Sequence, residues 1–206
     1  MTKFDVTVVD IGISNIASVT NALVELGFYP EVADDPGRLG ECDRLILPGN
    51  GSFRIGSERL FKSFWAEAIC EFAETKKPIL GICLGMHLLA TSGEEDGYSV
   101  GLDLIPGVTR RIEADGLRIP HVGWNTVTQL RDHFLFQGIK QDRDFYFSHS
   151  FFFDIKNGSD TLCETSYGQT FSSVIQLENI AGVQFHPEKS QKNGLRVLDQ
   201  FMKWNF

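Results

Sequence analysis

Residues 78–93 read PILGICLGMHLLATSG, and the place of Cys83 within them decides the fold. Pro78–Cys83 is a short apolar run of the kind that makes a buried strand, and the run after it has the look of a helix. A cysteine at this handover, framed as Gly81-Ile82-Cys83-Leu84-Gly85, has the form of the thiol counterpart of the G-x-S-x-G nucleophile elbow. Small residues on either side permit the tight, strained turn that exposes a nucleophile. A helix starting just after Cys83 supplies positive potential that favours thiolate, and it places the backbone N–H of Leu84 to hold an oxyanion. The competing reading is purely architectural. Free cysteine is often buried, and paired glycines also mark close packing of a helix on a strand.

Outward from this stretch, the same unit recurs. FDVTVVD (4–10) is a short apolar run ending at Gly12, after which Ile16, Val19, Leu23 and Leu26 recur at helical spacing up to the stop signal Gly27. DRLILPG (43–49) reads as a strand ending in a Gly/Pro loop. FKSFWAEAICEFAETKK (61–77) sets Phe61, Trp65, Ile69 and Phe72 along one helical face. Strands alternating with helices imply a parallel sheet covered on both faces. From about residue 107 to 185 the pattern turns β-rich, in GVTRRIEA, LRIPHVGWNTV, DFYFSHSFFFDI and SSVIQLENIAGVQF, before GLRVLDQFMKWNF (194–206) returns to helical spacing. No linker and no internal repeat interrupts the chain. The expectation is one α/β domain over residues 1–206, with an open mixed, largely parallel sheet flanked by helices.

Composition narrows the function. A length of 206 residues with 42% hydrophobic and 22% charged side chains is that of a soluble globular chain with an adequate core. A net charge of −8, with no Lys/Arg run longer than two, leaves no footprint for a phosphate backbone, so nucleic acid is not expected as a partner. The apolar stretch at the start is too short for a signal-peptide core, and no segment has the length of a membrane span, so the expectation is a cytoplasmic protein without membrane contact. Cys42, Cys70, Cys83 and Cys163 are widely spaced, without a CxxC pair, which suggests neither a zinc site nor a disulfide framework.

A nucleophile needs a base, and the histidines are His87, His121, His133, His149 and His186. AGVQFHPEKS (181–190) sets His186 at the end of a β-like run, with Pro187 terminating it and Glu188 two residues on. A carboxylate so placed can orient an imidazole that takes and returns protons. By itself HPE reads better as a strand end with a solvated loop; beside the cysteine elbow that reading loses ground.

LPGNGSF, GICLGM, IPHVGWN, FYFSHSFFF and GVQFHPEKSQKNGLRVLDQF, in this order along a resemblance that runs from residue 5 to residue 201, resemble the class I glutamine amidotransferases, and among them the glutaminase subunits of imidazole glycerol phosphate synthase. The resemblance implies a flavodoxin-like fold. It also implies a glutaminase that makes ammonia from L-glutamine for a partner synthase, in a heterodimer with a cyclase subunit, without metal or organic cofactor. By matching motif, Cys83 resembles the nucleophile, His186 the general base and acid, and Glu188 the orienting carboxylate. Pro48–Gly51, and so Gly49, Asn50 and Gly51, match the loop that supplies a second oxyanion donor beside Leu84; the N–H of Asn50 or its neighbours is the candidate. Glu95 and the backbone of Ser148, His149, Ser150 and Phe151 match segments that contact substrate. IPHVGWN, with His121 and Trp124, lies by the same resemblance near the partner-facing side.

Two segments depart from the family's pattern. The elbow helix normally reads Gly-x-Cys-x-Gly-x-Gln, and its glutamine contributes to substrate binding; here that position is His87. A glutamine amide presents separate donor and acceptor atoms on a flexible stem, whereas neutral imidazole offers one of each on a rigid ring. In DIGISNIASV, Asp10, Gly12 and Asn15 match an Asp-Tyr-Gly-x-Gly-Asn pattern, but Ile11 and Ser14 replace its tyrosine and second glycine. The pathway therefore stays open between histidine biosynthesis and paralogues that feed a sugar-modifying amidotransferase of surface glycans. A catalytically silent, partner-binding scaffold is the rival from another class, and a peptidase-like hydrolase the rival within enzymes.

Overall fold

Runs of four or five residues, buried at every position, build the centre of the molecule, as expected for parallel strands covered on both faces. A computed structural model describes residues 4–206, so the first three residues of the stretch read for targeting lie outside the described residues. In chain order the first half comprises β1 (Val6–Val9), α1 (Ile16–Glu25), β2 (Pro30–Ala33), β3 (Leu45–Gly49), α2 (Phe53–Lys62), α3 (Trp65–Glu74), β4 (Ile79–Cys83) and α4 (Leu84–Leu88). The second half comprises β5 (Ser92–Gly93), β6 (Ser99–Val100), β7 (Gly107–Arg111), β8 (His121–Gln129), β9 (Arg143–His149), β10 (Phe151–Ile155), β11 (Thr161–Tyr167), β12 (Gln169–Leu177), β13 (Ile180–Val183) and α5 (Gln191–Met202).

The main sheet runs β2-β1-β3-β4-β13-β12-β11-β8-β9. Its first five strands are parallel, and the rest pair antiparallel. A smaller sheet, β10-β7-β5-β6, is not hydrogen-bonded to it but packs against it through β10, with Phe152 near Phe171 of β12. Alternation along β3 and β4 divides the core. Ile46, Leu80 and Ile82 join Val19, Leu23, Val197 and Phe201 of α1 and α5, while Leu45, Leu47 and Ile79 join Leu60, Trp65, Ile69 and Leu88 of α2, α3 and α4. Helices thus cover both faces, and the flavodoxin-like mixed sheet read from the sequence is the fold observed. Among the described residues no helix is long and apolar enough to cross a membrane.

One local reading is corrected, and two of the β-rich runs each divide into two strands. The single helical face drawn through Phe61, Trp65, Ile69 and Phe72 belongs to two helices. Phe64 stands between them in the left-handed region (φ 59°), and Phe61 is 40% exposed at the end of α2. The Oγ of Ser52 caps α2 by accepting the N–H of Ile55, and this helix buries Gly56 and Ser57 beside Phe53 and Leu60, a stripe too polar to stand out. DFYFSHSFFFDI divides at Ser150 into β9 of the large sheet and β10 of the small one. SSVIQLENIAGVQF likewise folds back on itself as β12 and β13.

Candidate active site

Cys83 ends β4 and opens α4 with φ 53° and ψ −108°, a conformation L-residues rarely adopt. The neighbours show why the chain tolerates it. A Cβ on Gly81 would lie 2.7 Å from the Gly85 carbonyl oxygen, and one on Gly85 would collide with the Leu47 carbonyl oxygen of β3. Both glycines let α4 sit directly on the sheet, so close packing and a strained nucleophile turn are one feature. The Sγ of Cys83, in a residue 5% exposed, faces the Ser148 carbonyl at 3.8 Å. Because α4 has only five residues, its influence on the sulfur comes chiefly from individual N–H groups such as that of Leu84, which begins the helix without an intrahelical partner.

β13 pairs with β4 in parallel, Val183 opposite Ile82, and so carries His186 to the same end of the sheet. The N–H of His186 donates to the Tyr146 carbonyl (2.8 Å), and its carbonyl accepts from Ser190 Oγ (2.6 Å), which in turn accepts the Tyr146 N–H (2.9 Å). The ring is oriented by Nδ1, 2.9 Å from Glu188 Oε1, with both side chains buried. Nε2 is left for the Cys83 sulfur. Burial opposes a charged imidazole, but the negative charge and hydrogen bonds of Cys83 and Glu188 outweigh it and push His186 up to about 10. The ring is therefore a proton donor at neutral pH.

A cavity of about 290 Å³ opens beside the sulfur, and Asn50, Gly51, Cys83, Leu84, His87, Glu95, Ser148, His149 and Ser150 all line it. Gly49 lies behind the wall, where a Cβ would come 2.7 Å from the Leu84 Cβ; it brings the loop close to α4. Ser14 Oγ donates to the Pro48 carbonyl (2.7 Å), and the Asn50 N–H donates to the Ile13 carbonyl (3.1 Å). The Asn50 amide is thus engaged, while that of Gly51 makes no hydrogen bond among the described residues. Glu95 Oε2 accepts the Phe53 N–H (2.7 Å) at the start of α2, and burial raises its pKa against the lowering effect of that bond. Pro120, Ser52 and Phe151 complete the wall; Pro120 and Ser52 had no chemical signature in the sequence. Among the described residues no cluster of three or more His, Cys, Asp or Glu side chains is placed to hold a metal ion.

His87 is 4% exposed, and its Nε2–H donates to Gln184 Oε1 at 2.7 Å, a core partner the sequence did not signal. Burial, only partly offset by this bond, drops its pKa to about 4, so the ring is neutral and has no second donor to offer a ligand. The unfolded chain binds a proton at this residue near pH 6.5 and the folded chain only near 4. The unfolded state therefore gains from acidification, and the stability tied to His87 is lost as pH falls through this window, by about 3 kcal/mol in full. His87→Gln should narrow the difference in urea midpoint between pH 7 and pH 4.5 and, by restoring amide donors to the cavity, lower the KM for glutamine. An unchanged or higher KM removes His87 from substrate binding.

A thiol at an elbow, an imidazolium held by a buried carboxylate and free amides around a small cavity define the parts of a cysteine-dependent acyl-transfer centre. Residues 7–204 match the family described as Glutamine amidotransferase class-I. The chain is 44% identical over 196 residues to the imidazole glycerol phosphate synthase subunit HisH of Moorella thermoacetica, covering 95% of this chain and 93% of the relative. It is 41% identical over 200 residues to the Arabidopsis thaliana chloroplastic imidazole glycerol phosphate synthase hisHF, covering 96% of this chain and 34% of that longer protein. Among solved structures, that of PurLQS from Thermotoga maritima superposes with a TM-score of 0.78 at 19% identity, covering 98% of this chain and 99% of that one. The chain belongs to the class I glutamine amidotransferases.

Proposed function

We propose that the protein is the glutaminase subunit of an imidazole glycerol phosphate synthase, hydrolysing L-glutamine and passing the ammonia to a cyclase subunit. The observation that carries this reading is the Cys83, His186 and Glu188 arrangement in a chain 44% identical over 196 residues to a subunit of that name. Cys83 thiolate attacks the side-chain amide carbon, and the N–H groups of Leu84 and Gly51 hold the tetrahedral oxyanion. One such donor is worth about 2.7–4 kcal/mol. His186 gives its proton to the departing nitrogen, releasing ammonia and leaving a glutamyl thioester. The neutral ring then takes a proton from water as the hydroxide adds to the thioester, and collapse expels the thiolate beside a restored imidazolium.

Ammonia gains a proton in bulk water and loses its lone pair, so the product is best delivered across a sealed contact. A cavity of about 700 Å³ on the outer side of Glu188, lined by Trp124, Lys189 and Ser18 and Asn21 of α1, fits the face where a cyclase docks in a heterodimer. The test is glutamate release from L-glutamine by the protein alone and with the cyclase from the same source. Strong stimulation is expected. The same chemistry serves a sugar-modifying synthase, the alternative that Ile11 and Ser14 leave open; silence with an active cyclase but stimulation by such a synthase would transfer the assignment.

A further inference from the structure

The segment Ser148–Phe151 walls the glutamine cavity at the point where the chain leaves β9 for β10, and only part of what shapes this corner is backbone. The Ile112 N–H donates to the Ser150 carbonyl at 3.0 Å. A chain of side chains does the rest. The Asn125 Oδ1 accepts the Thr126 N–H (2.8 Å), and its Nδ2 donates to the Ser166 carbonyl (3.0 Å), so two backbone groups fix which way the amide faces. Its Nδ2 also lies 3.2 Å from His121 Nε2, which must then accept. The proton of His121 is left on Nδ1, 3.0 Å from His149 Nε2, and that of His149 on Nδ1, 2.8 Å from the Phe151 carbonyl. A carbonyl at one end and a fixed amide at the other leave one consistent direction of donation.

The rings are held for this purpose. His121 stacks between Phe147 and Tyr167, with centroids at 5.0 and 4.0 Å, which prevents it from turning over. Burial keeps both imidazoles neutral, pushing His121 down to about 4 and His149 to about 3. His149 faces the glutamine cavity, whereas His121 and Asn125 face a different one, of about 520 Å³, beside Tyr167 and Thr170.

We propose that Asn125 and His121 are positioning residues of the glutamine site: they impose on His149 the tautomer whose Nδ1–H holds the Phe151 carbonyl, and thereby shape the Ser148–Phe151 corner. The inference rests on the glutaminase reading. Asn125→Asp reverses the polarity. A carboxylate draws a proton onto His121 Nε2, His121 Nδ1 becomes an acceptor, and His149 either turns its lone pair on the Phe151 carbonyl or takes a second proton.

Two measurements test this. Nitrogen NMR of the histidine-labelled parent protein should show the Nδ1–H tautomer at both His121 and His149 at pH 7; an Nε2–H form at either overturns the relay. In Asn125→Asp the His149 signals should change, and the KM for glutamine should rise roughly tenfold with kcat within threefold, the mark of lost binding. His121→Phe keeps a ring between Phe147 and Tyr167 while deleting the donor, and should raise KM likewise, which serves if the carboxylate variant does not fold. Ordinary hydrolysis by the parent with an unchanged KM in a folded variant overturns the positioning role. A parent that releases no glutamate with any synthase overturns the glutaminase reading instead and takes the role with it, while its tautomers still report on the hydrogen bonds.

Discussion

Cys83→Ala is expected to reduce glutamate release from glutamine by about a millionfold, the loss typical when a covalent nucleophile is removed. The sulfur has no substitute. The other three cysteines are free but remote, and burial raises their thiol pKa values, which keeps them protonated at neutral pH. Water is a poor replacement for the sulfur, because a neutral water molecule is a far weaker nucleophile than a thiolate. The variant should melt within a few degrees of the parent, since alanine accepts the burial of this site and retains the turn between Gly81 and Gly85. Iodoacetamide supplies an independent readout. It should modify Cys83 in the parent and leave the variant unlabelled, with alkylation and inactivation advancing together. Residual release above about one per cent would place the nucleophile elsewhere.

This expectation was legible before the structure because its determinants are local. Gly81, Cys83 and Gly85 lie within five residues, and His186 and Glu188 within three, so sequence spacing alone sets them on a strand end and its turn. Long-range register was not legible. His121 meets His149 only because β8 pairs with β9 in the register that sets these two residues opposite one another, and no feature of IPHVGWN specifies it. The break at Phe64 was hidden because Phe61, Trp65, Ile69 and Phe72 satisfy a helical period whether or not the helix is continuous. The division at Ser150 escaped notice for a similar reason: aromatic residues continue on both sides while the chain changes sheets. His87 was visible as a departure, but its commitment to Gln184 depends on β13 lying beside β4.

Glu188→Gln is expected to lower kcat by on the order of 10³–10⁴ while leaving KM nearly unchanged, by analogy with the effect of neutralising the orienting carboxylate of a triad. Glu188 does not line the glutamine cavity; it acts through the ring it holds. A glutamine side chain in the same place either points its amide N–H₂ at Nδ1, moving the ring proton to the sulfur side, or keeps its oxygen there without the charge. In both cases the imidazolium loses one of the two groups that hold its pKa near 10 against burial. The sign of the pH effect follows. In the parent the proton donor persists up to about pH 10, and in the variant it is lost at lower pH, so the deficit in kcat should be greater at pH 9 than at pH 6.5. Alkylation of Cys83 at pH 7 should slow in parallel, because the imidazolium that pairs with the sulfur is less populated. The same linkage governs folding. The raised pKa of His186 contributes stability in full below about 6.5, and that contribution disappears as pH rises towards 10; in the variant the loss should come earlier. A kcat within tenfold of the parent, or a deficit confined to KM, would mean that Glu188 does not govern the protonation of His186.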